Sequence, residues 1–196
     1  MSSCKYEIVT ERDKKILELV EDLRVVDVFT VDTILFSNTK TTRMCQKRLT
    51  NLADFNRVKR WRPNQISQYI YYQGRKPGNI EHSLLISHFI AHLYRLGAEV
   101  LKIKREWLIT EGIRVDLFIA YKLKGKSYIA IVEAENTKSF DQKHKKLEEY
   151  YLSGAYKELF PTMPKVICIT DKSFKLGSLE VFVVDTKFRN IKMLGD

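Results

Sequence analysis

Glycine and proline are scarce in this chain, at eight and four of 196 residues. Their scarcity excludes long irregular stretches and favours regular elements with short connections. Cysteine is scarcer still. Cys4, Cys45 and Cys168 are far apart and form no Cys-x-x-Cys pair. Neither a disulfide framework nor a zinc ribbon is therefore indicated, and free thiols in a reducing compartment are expected. No apolar run approaches the roughly 20 residues that cross a bilayer, so no membrane partner is expected. The opening MSSCKYEIVTERDKK has no apolar leader segment, and the expected location is cytoplasmic. Negative charge is also in short supply, with 24 acidic residues against 34 basic ones and a net charge of +10. That balance favours a polyanionic partner, although it says nothing about fold. What is plentiful is apolar material, at 44% hydrophobic and 11% aromatic. A chain so composed is not disordered, and its length suits one large domain or two small ones.

The positive charge is not spread evenly. Residues 40–62 hold eight cations, Lys40, Arg43, Lys47, Arg48, Arg57, Lys59, Arg60 and Arg62, against the single anion Asp54. Lys40, Arg43, Lys47 and Arg48 fall on the outward side of a helix running to about Asp54, with Met44, Cys45, Leu49, Leu52 and Ala53 expected inward. Two strands, 57–62 and 68–73, are expected around the turn Pro63-Asn64-Gln65. Upstream, Thr10 and Asp13 fit a capping box for a first helix carrying Ile16, Leu17, Leu19, Val20 and Leu23. A second helix is expected from Thr30, and Thr41 or Thr42 caps the third. Three helices and a hairpin, with one basic face, form the order of a winged helix-turn-helix, a unit that grips duplex DNA.

The cluster Gly74-Arg75-Lys76-Pro77-Gly78-Asn79 is the best boundary, giving domains 1–78 and 79–196. Beyond it the expected order is a helix over 81–96, three strands over 98–109, 114–123 and 127–135, a helix over 140–159, and strands over 165–170 and 179–184. Ile129-Ala130-Ile131-Val132 and Val166-Ile167-Cys168-Ile169 are continuous apolar runs, as in strands buried on both faces. The fold class is therefore α+β, with a mixed α/β sheet in the second domain.

Three acids gather at strand ends in this second domain. Asp116 opens the strand Leu117-Phe118-Ile119-Ala120, and Glu133 and Glu135 close the next one. Residues two apart on a strand share a face, and the intervening hairpin can bring Asp116 beside them. Converging carboxylates repel unless they are protonated or bridged by a cation. Hard oxygen donors suit Mg²⁺ or Mn²⁺, and such a metal polarises a phosphodiester and activates water. In the plainer reading the acids pair with Lys143, Lys146 or Arg114.

The element order, with Asp116, sixteen further residues and then Glu133-Ala134-Glu135, resembles the PD-(D/E)xK nuclease core over residues 80–185. The resemblance implies that Asp116 and Glu133 hold the metal. Glu135 stands where the family usually has lysine, and Lys138, three residues on, is the candidate substitute. Glu81 matches an accessory metal acid of some members. The whole chain resembles the replication-relaxation family of plasmids and conjugative elements. The likeness rests on Val132-Glu133-Ala134-Glu135-Asn136-Thr137 and on Lys146-Leu147-Glu148-Glu149-Tyr150. It implies DNA binding in the replication, mobilisation or regulation of a mobile element.

The expected function is double-stranded DNA binding. Arg43, Gln46 and Lys47 are the candidates for base edges. Lys40, Arg48, Arg57, Lys59, Arg60 and Arg62 are the candidates for phosphates. About six phosphate contacts imply a slope near −5 of log affinity against log salt. A two-fold site would engage a homodimer. Two other classes fit the same residues. One is a Mg²⁺-dependent endonuclease using Asp116, Glu133, Glu135 and Lys138, with Glu81 assisting. The other is an adaptor docking a relaxase or replication initiator. Three further features have plain and sharp readings. Trp61 packs in the core or touches DNA. Cys45 is a core residue or a redox switch. His88 and His92, at i and i+4, are core histidines or zinc ligands.

Overall fold

In the computed structural model, which describes residues 9–37, 41–134, 139–172 and 177–195, the first helix is set by its cap. Helix α1 (Glu11–Leu23) begins where Thr10 Oγ1 accepts from Asp13 N and Asp13 Oδ2 accepts from Thr10 N. This reciprocal box satisfies two amides that the helix leaves open. Ile16, Val20 and Leu23 are buried along one stripe. Arg24, at φ 68°, turns the chain out of the helix.

A strand follows that the sequence pattern did not reveal. β1 (Val25–Asp27) pairs antiparallel with β3 (Ile70–Tyr72), which pairs in turn with β2 (Lys59–Trp61). The order β1-β3-β2 makes a three-stranded sheet where a lone hairpin was expected. All three residues of β1 are buried, so no alternation marks it. Asp27 then caps α2 (Val28–Leu35), its Oδ1 accepting from Thr30 N and Thr30 Oγ1 at 2.8 Å each. The helix therefore starts two residues before the expected Thr30. Helix α3 (Arg43–Asp54) has Thr42 as its N-terminal flank and buries Cys45, Leu49 and Leu52. Met44, expected inward, is half-exposed, because it sits about 100° around the helix from Cys45.

Helix α4 (Ile80–Arg95) follows. The chain divides within it into two compact units, Met1–Ala91 and His92–Asp196. The second unit is built on a five-stranded mixed sheet in the order β4 (Glu99–Thr110), β5 (Ile113–Leu123), β6 (Lys126–Ala134), β7 (Lys165–Ile169), β8 (Val181–Val184). The first three strands form an antiparallel meander. Lys124 and Gly125, at φ 52° and 77°, make the tight β5–β6 turn, the left-handed pair that a two-residue hairpin requires. Helix α5 (Ser139–Leu152) and a 3₁₀ turn at Ala155–Glu158 then carry the chain to β7, which runs parallel to β6, as β8 does to β7. Ile131, Val132, Ile167 and Cys168 are fully buried, so both faces of the central strands are covered. Leu147 and Tyr150 of α5 pack with Phe118, Ile131, Val166 and Val181 in one core cluster. The mixed α+β class expected from the sequence is what the chain adopts.

Candidate functional site

The antiparallel register decides which acids meet. Leu117 pairs with Val132, so the next positions outward bring Asp116 of β5 beside Glu133 of β6. Asp116 Oδ2 accepts from Ala134 N at 3.0 Å, and Arg105 Nε of β4 donates to the Asp116 carbonyl at 3.2 Å. Asp116 is thus held from two neighbouring strands. Glu133 is fully buried.

A lysine closes this pair. Lys143 Nζ, from α5, donates to Glu133 Oε2 and lies 3.8 Å from Asp116 Oδ1. Of the cations weighed for these acids, Lys143 is the one that arrives. Lys146 Nζ instead faces the Gly112 carbonyl at 3.4 Å, and Arg114 is exposed on β5. Burial pushes the Glu133 carboxyl well above the usual carboxylate range, and the adjacent Asp116 pushes the same way, against the pull of Lys143. Glu133 Oε1 is buried with no hydrogen-bond partner among the described residues.

Among the described residues no group of three or more His, Cys, Asp or Glu is placed to share a metal. Asp116 and Glu133 nevertheless supply oxygen donors only, the buried Oε1 of Glu133 among them. That donor set fits a hard divalent cation whose remaining positions are filled by water or phosphate. Glu135 and Lys138 lie outside the described residues. Glu81 is exposed in the first turn of α4, in the first unit.

The carboxyl ends of β7 and β8 form an open groove next along the same sheet, lined by Thr170, Asp171, Lys172, Asp185, Lys187 and Arg189. Ligands of open α/β sheets favour this edge. Its two acids are committed to local structure. Asp171 accepts from the Thr186 amide and hydroxyl, and these bonds hold its carboxyl below the usual range. Asp185 accepts from the amides of Lys187, Arg189 and Asn190. The loop so built leaves Lys187 and Arg189 exposed.

In the first unit, the basic residues separate into those that are engaged and those that face outward. Arg43, Gln46 and Lys47 are exposed on α3, opposite the buried Cys45–Leu49–Leu52 stripe. Arg48 turns the other way. Its Nη1 lies 3.2 Å from Oδ2 of Asp13, so it ties α3 to the cap of α1. Lys59 Nζ donates to the Gly74 carbonyl at 2.7 Å, and Arg60 meets Asp54 at 3.5 Å. The guanidinium carbons of Arg60 and Arg62 lie 5.0 and 4.7 Å from the Tyr69 ring centre, within cation–π range. Arg57 is exposed, and Lys40 lies outside the described residues.

No family model, no curated protein and no solved structure matches this chain. No helix among the described residues is long and apolar enough to cross a membrane.

The remaining candidates have contacts within the fold. Trp61 packs against the cluster of Val25, Ile70, Tyr72 and Ile80, with Lys76 Nζ 3.5 Å over its ring. His88 Nε2 lies 2.8 Å from Asp27 Oδ2, and His92 stacks on Phe188. Cys45 is buried with its thiol directed at the Val28 carbonyl. Burial first, and the charges of Asp32 and Asp27 second, push that thiol up to about 12, which removes the thiolate that redox chemistry needs.

Proposed function

We propose that this protein binds double-stranded DNA through its first unit, acting as a winged helix. The observation that carries the reading is the outward face of α3, where Arg43, Gln46 and Lys47 are exposed while the opposite stripe is buried. Arginine and lysine pair with guanine edges and glutamine with adenine. The hairpin cations Lys59, Arg60 and Arg62 supply the accompanying positive charge for phosphates. By its resemblance to the replication-relaxation family, the process served is replication, mobilisation or regulation of a plasmid or mobile element. A two-fold DNA site would be read by a homodimer.

The test is retention of labelled duplex DNA by the wild-type chain and by an Arg43→Ala/Lys47→Ala variant, both in EDTA. Retention by the wild type and loss in the variant support the reading. Equal retention by the wild type and the variant sinks it.

A second reading is favoured by one observation, the contact of Lys143 with both Asp116 and Glu133. These three side chains would serve as the two acids and the cation of a PD-(D/E)xK-type endonuclease, with Lys143 delivered from α5. Asp116 and Glu133 would hold Mg²⁺ or Mn²⁺. Bound there, such an ion polarises the phosphodiester and lowers the pKa of its water. Lys143 pulls against the burial that raises the Glu133 carboxyl and would place positive charge beside the reacting phosphate oxygens. Lys187 and Arg189 offer cations for the flanking phosphates. Supercoiled plasmid incubated with Mg²⁺ or Mn²⁺ tests this. Nicking that disappears in EDTA and in Asp116→Ala/Glu133→Ala makes the second unit a nuclease, whereas intact plasmid leaves the DNA-binding reading alone.

A further inference from the structure

The largest exposure of any apolar side chain among the described residues is at the tip of the β2–β3 hairpin. Ile66 is 98% exposed. An isoleucine so placed gains nothing from folding, and a polar residue would serve a solvated turn at least as well. The backbone beneath it is nonetheless tightly organised. Asn64 Oδ1 accepts from Ile66 N at 3.0 Å, from Ser67 N at 2.8 Å and from Ser67 Oγ at 2.9 Å. Arg62 Nη1 donates to the Gln65 carbonyl at 2.8 Å. Pro63 restricts the chain at the start of the same turn. Four hydrogen bonds from two side chains therefore hold up one unburied aliphatic group.

Its surroundings name the ligand. Arg60 and Arg62 lie over the ring of Tyr69 at the base of the tip, so cations flank the isoleucine on its own hairpin. A cationic arm ending in a rigid apolar point matches one chemical surface well. That surface is a nucleic acid minor groove, in which phosphates line both walls and a base step can be opened by an aliphatic wedge.

We propose that Ile66 is a minor-groove wedge, inserting at a base step of bound duplex DNA and kinking it. The inference rests on the DNA-binding reading and adds to it a deformation of the ligand. Unstacking the step has a cost, which is offset by the extra protein surface that the bent duplex reaches. Sequence selectivity follows, because pyrimidine–purine steps open most readily.

The experiment uses the full chain. A pool of random duplexes of about 30 base pairs is selected with wild-type protein, and the best-retained duplex is end-labelled for energy transfer. Wild-type binding should shorten the end-to-end distance by a kink of roughly 20–90°. Ile66→Ser should lose that shortening and weaken binding by no more than about tenfold, with the salt slope unchanged because no phosphate contact is removed. Ile66→Phe, another wedge side chain, should restore the bend. A duplex that binds wild type but stays straight overturns the wedge and leaves DNA binding standing. So does a bend that survives in Ile66→Ser. A pool from which wild type retains no duplex overturns the DNA-binding reading, and the wedge falls with it.

Discussion

Lys143 and Glu133 form an ion pair in which the carboxylate is fully buried and the lysine reaches it from the helix that crosses over to the next parallel strand. Removing one member of a buried pair leaves an uncompensated charge, which typically costs about 3–5 kcal/mol. Lys143→Met should therefore destabilise the second unit by about 3–5 kcal/mol at pH 8. The loss should shrink at pH 5, where Glu133 can take up a proton. Urea unfolding at the two pH values measures this, and an equal loss at both would show that the pairing contributes little.

Glu133 also sets a pH dependence of its own. Its folded carboxyl titrates well above the usual range, from burial and from Asp116. For a group raised on folding, the stability it contributes is present in full below its unfolded pKa and is lost as pH rises through the folded one. Wild type should therefore lose stability from about pH 4.5 upward through this residue. Glu133→Gln, which cannot ionise, should have a flatter profile and gain on wild type as pH rises. Parallel profiles for the two proteins would contradict the assignment. Mg²⁺ should stabilise wild type and leave Asp116→Ala/Glu133→Ala unmoved, if the pair holds the cation.

Arg48 and Arg43 belong to the same helix and should behave oppositely. Arg48 is committed to the buried Asp13 of the α1 cap, so Arg48→Ala should lower stability by about 1–2 kcal/mol. Arg43 is exposed, so Arg43→Ala should leave stability within about 0.5 kcal/mol. It should weaken duplex binding by roughly ten- to a hundredfold. Thermal melts and anisotropy titrations, run on both variants, separate the two roles. A large loss of DNA affinity in a stable Arg48→Ala protein would return Arg48 to the DNA surface.

Phosphate contacts can be counted by salt. Each phosphate ligand removed should make the slope of log affinity against log salt shallower by about one. Lys59→Ala should therefore change the slope and the affinity together, whereas Gln46→Ala should change affinity and sequence preference with little change in slope. A slope that does not respond to Lys59→Ala removes that lysine from the interface.

Cys45 should be unreactive in the folded protein. Its thiol is buried and pushed up to about 12, so thiolate is essentially absent at neutral pH. Alkylation monitored by mass should reach Cys45 only under unfolding conditions. Labelling at the rate of a free thiol would reopen a redox role.

Much of the architecture is legible in local sequence. Thr10 and Asp13 announced α1 because capping is local chemistry, written within four residues. The apolar run Ile129–Val132 marks a buried strand because such a run is also local, whereas the antiparallel pairing of the first three strands is a matter of register. β1 escaped notice because three buried residues show no period, and its partner, β3, lies more than forty positions away in the chain. Met44 lies a single step around α3 from the buried Cys45, a distance that periodicity alone resolves poorly when the whole window is mixed.

The sequence by itself determined the α+β class and the concentration of positive charge in residues 40–62. Those depend on composition and on short-range repeats. Only the tertiary structure decided which charges are engaged. It committed Arg48 to Asp13, brought Lys143 rather than Lys146 to the acids, and left Ile66 projecting at the tip of an ordered turn. Pairings of that kind depend on strand register and helix rotation. These are settled when separate segments compete to bury apolar surface, and no window of local sequence contains that competition.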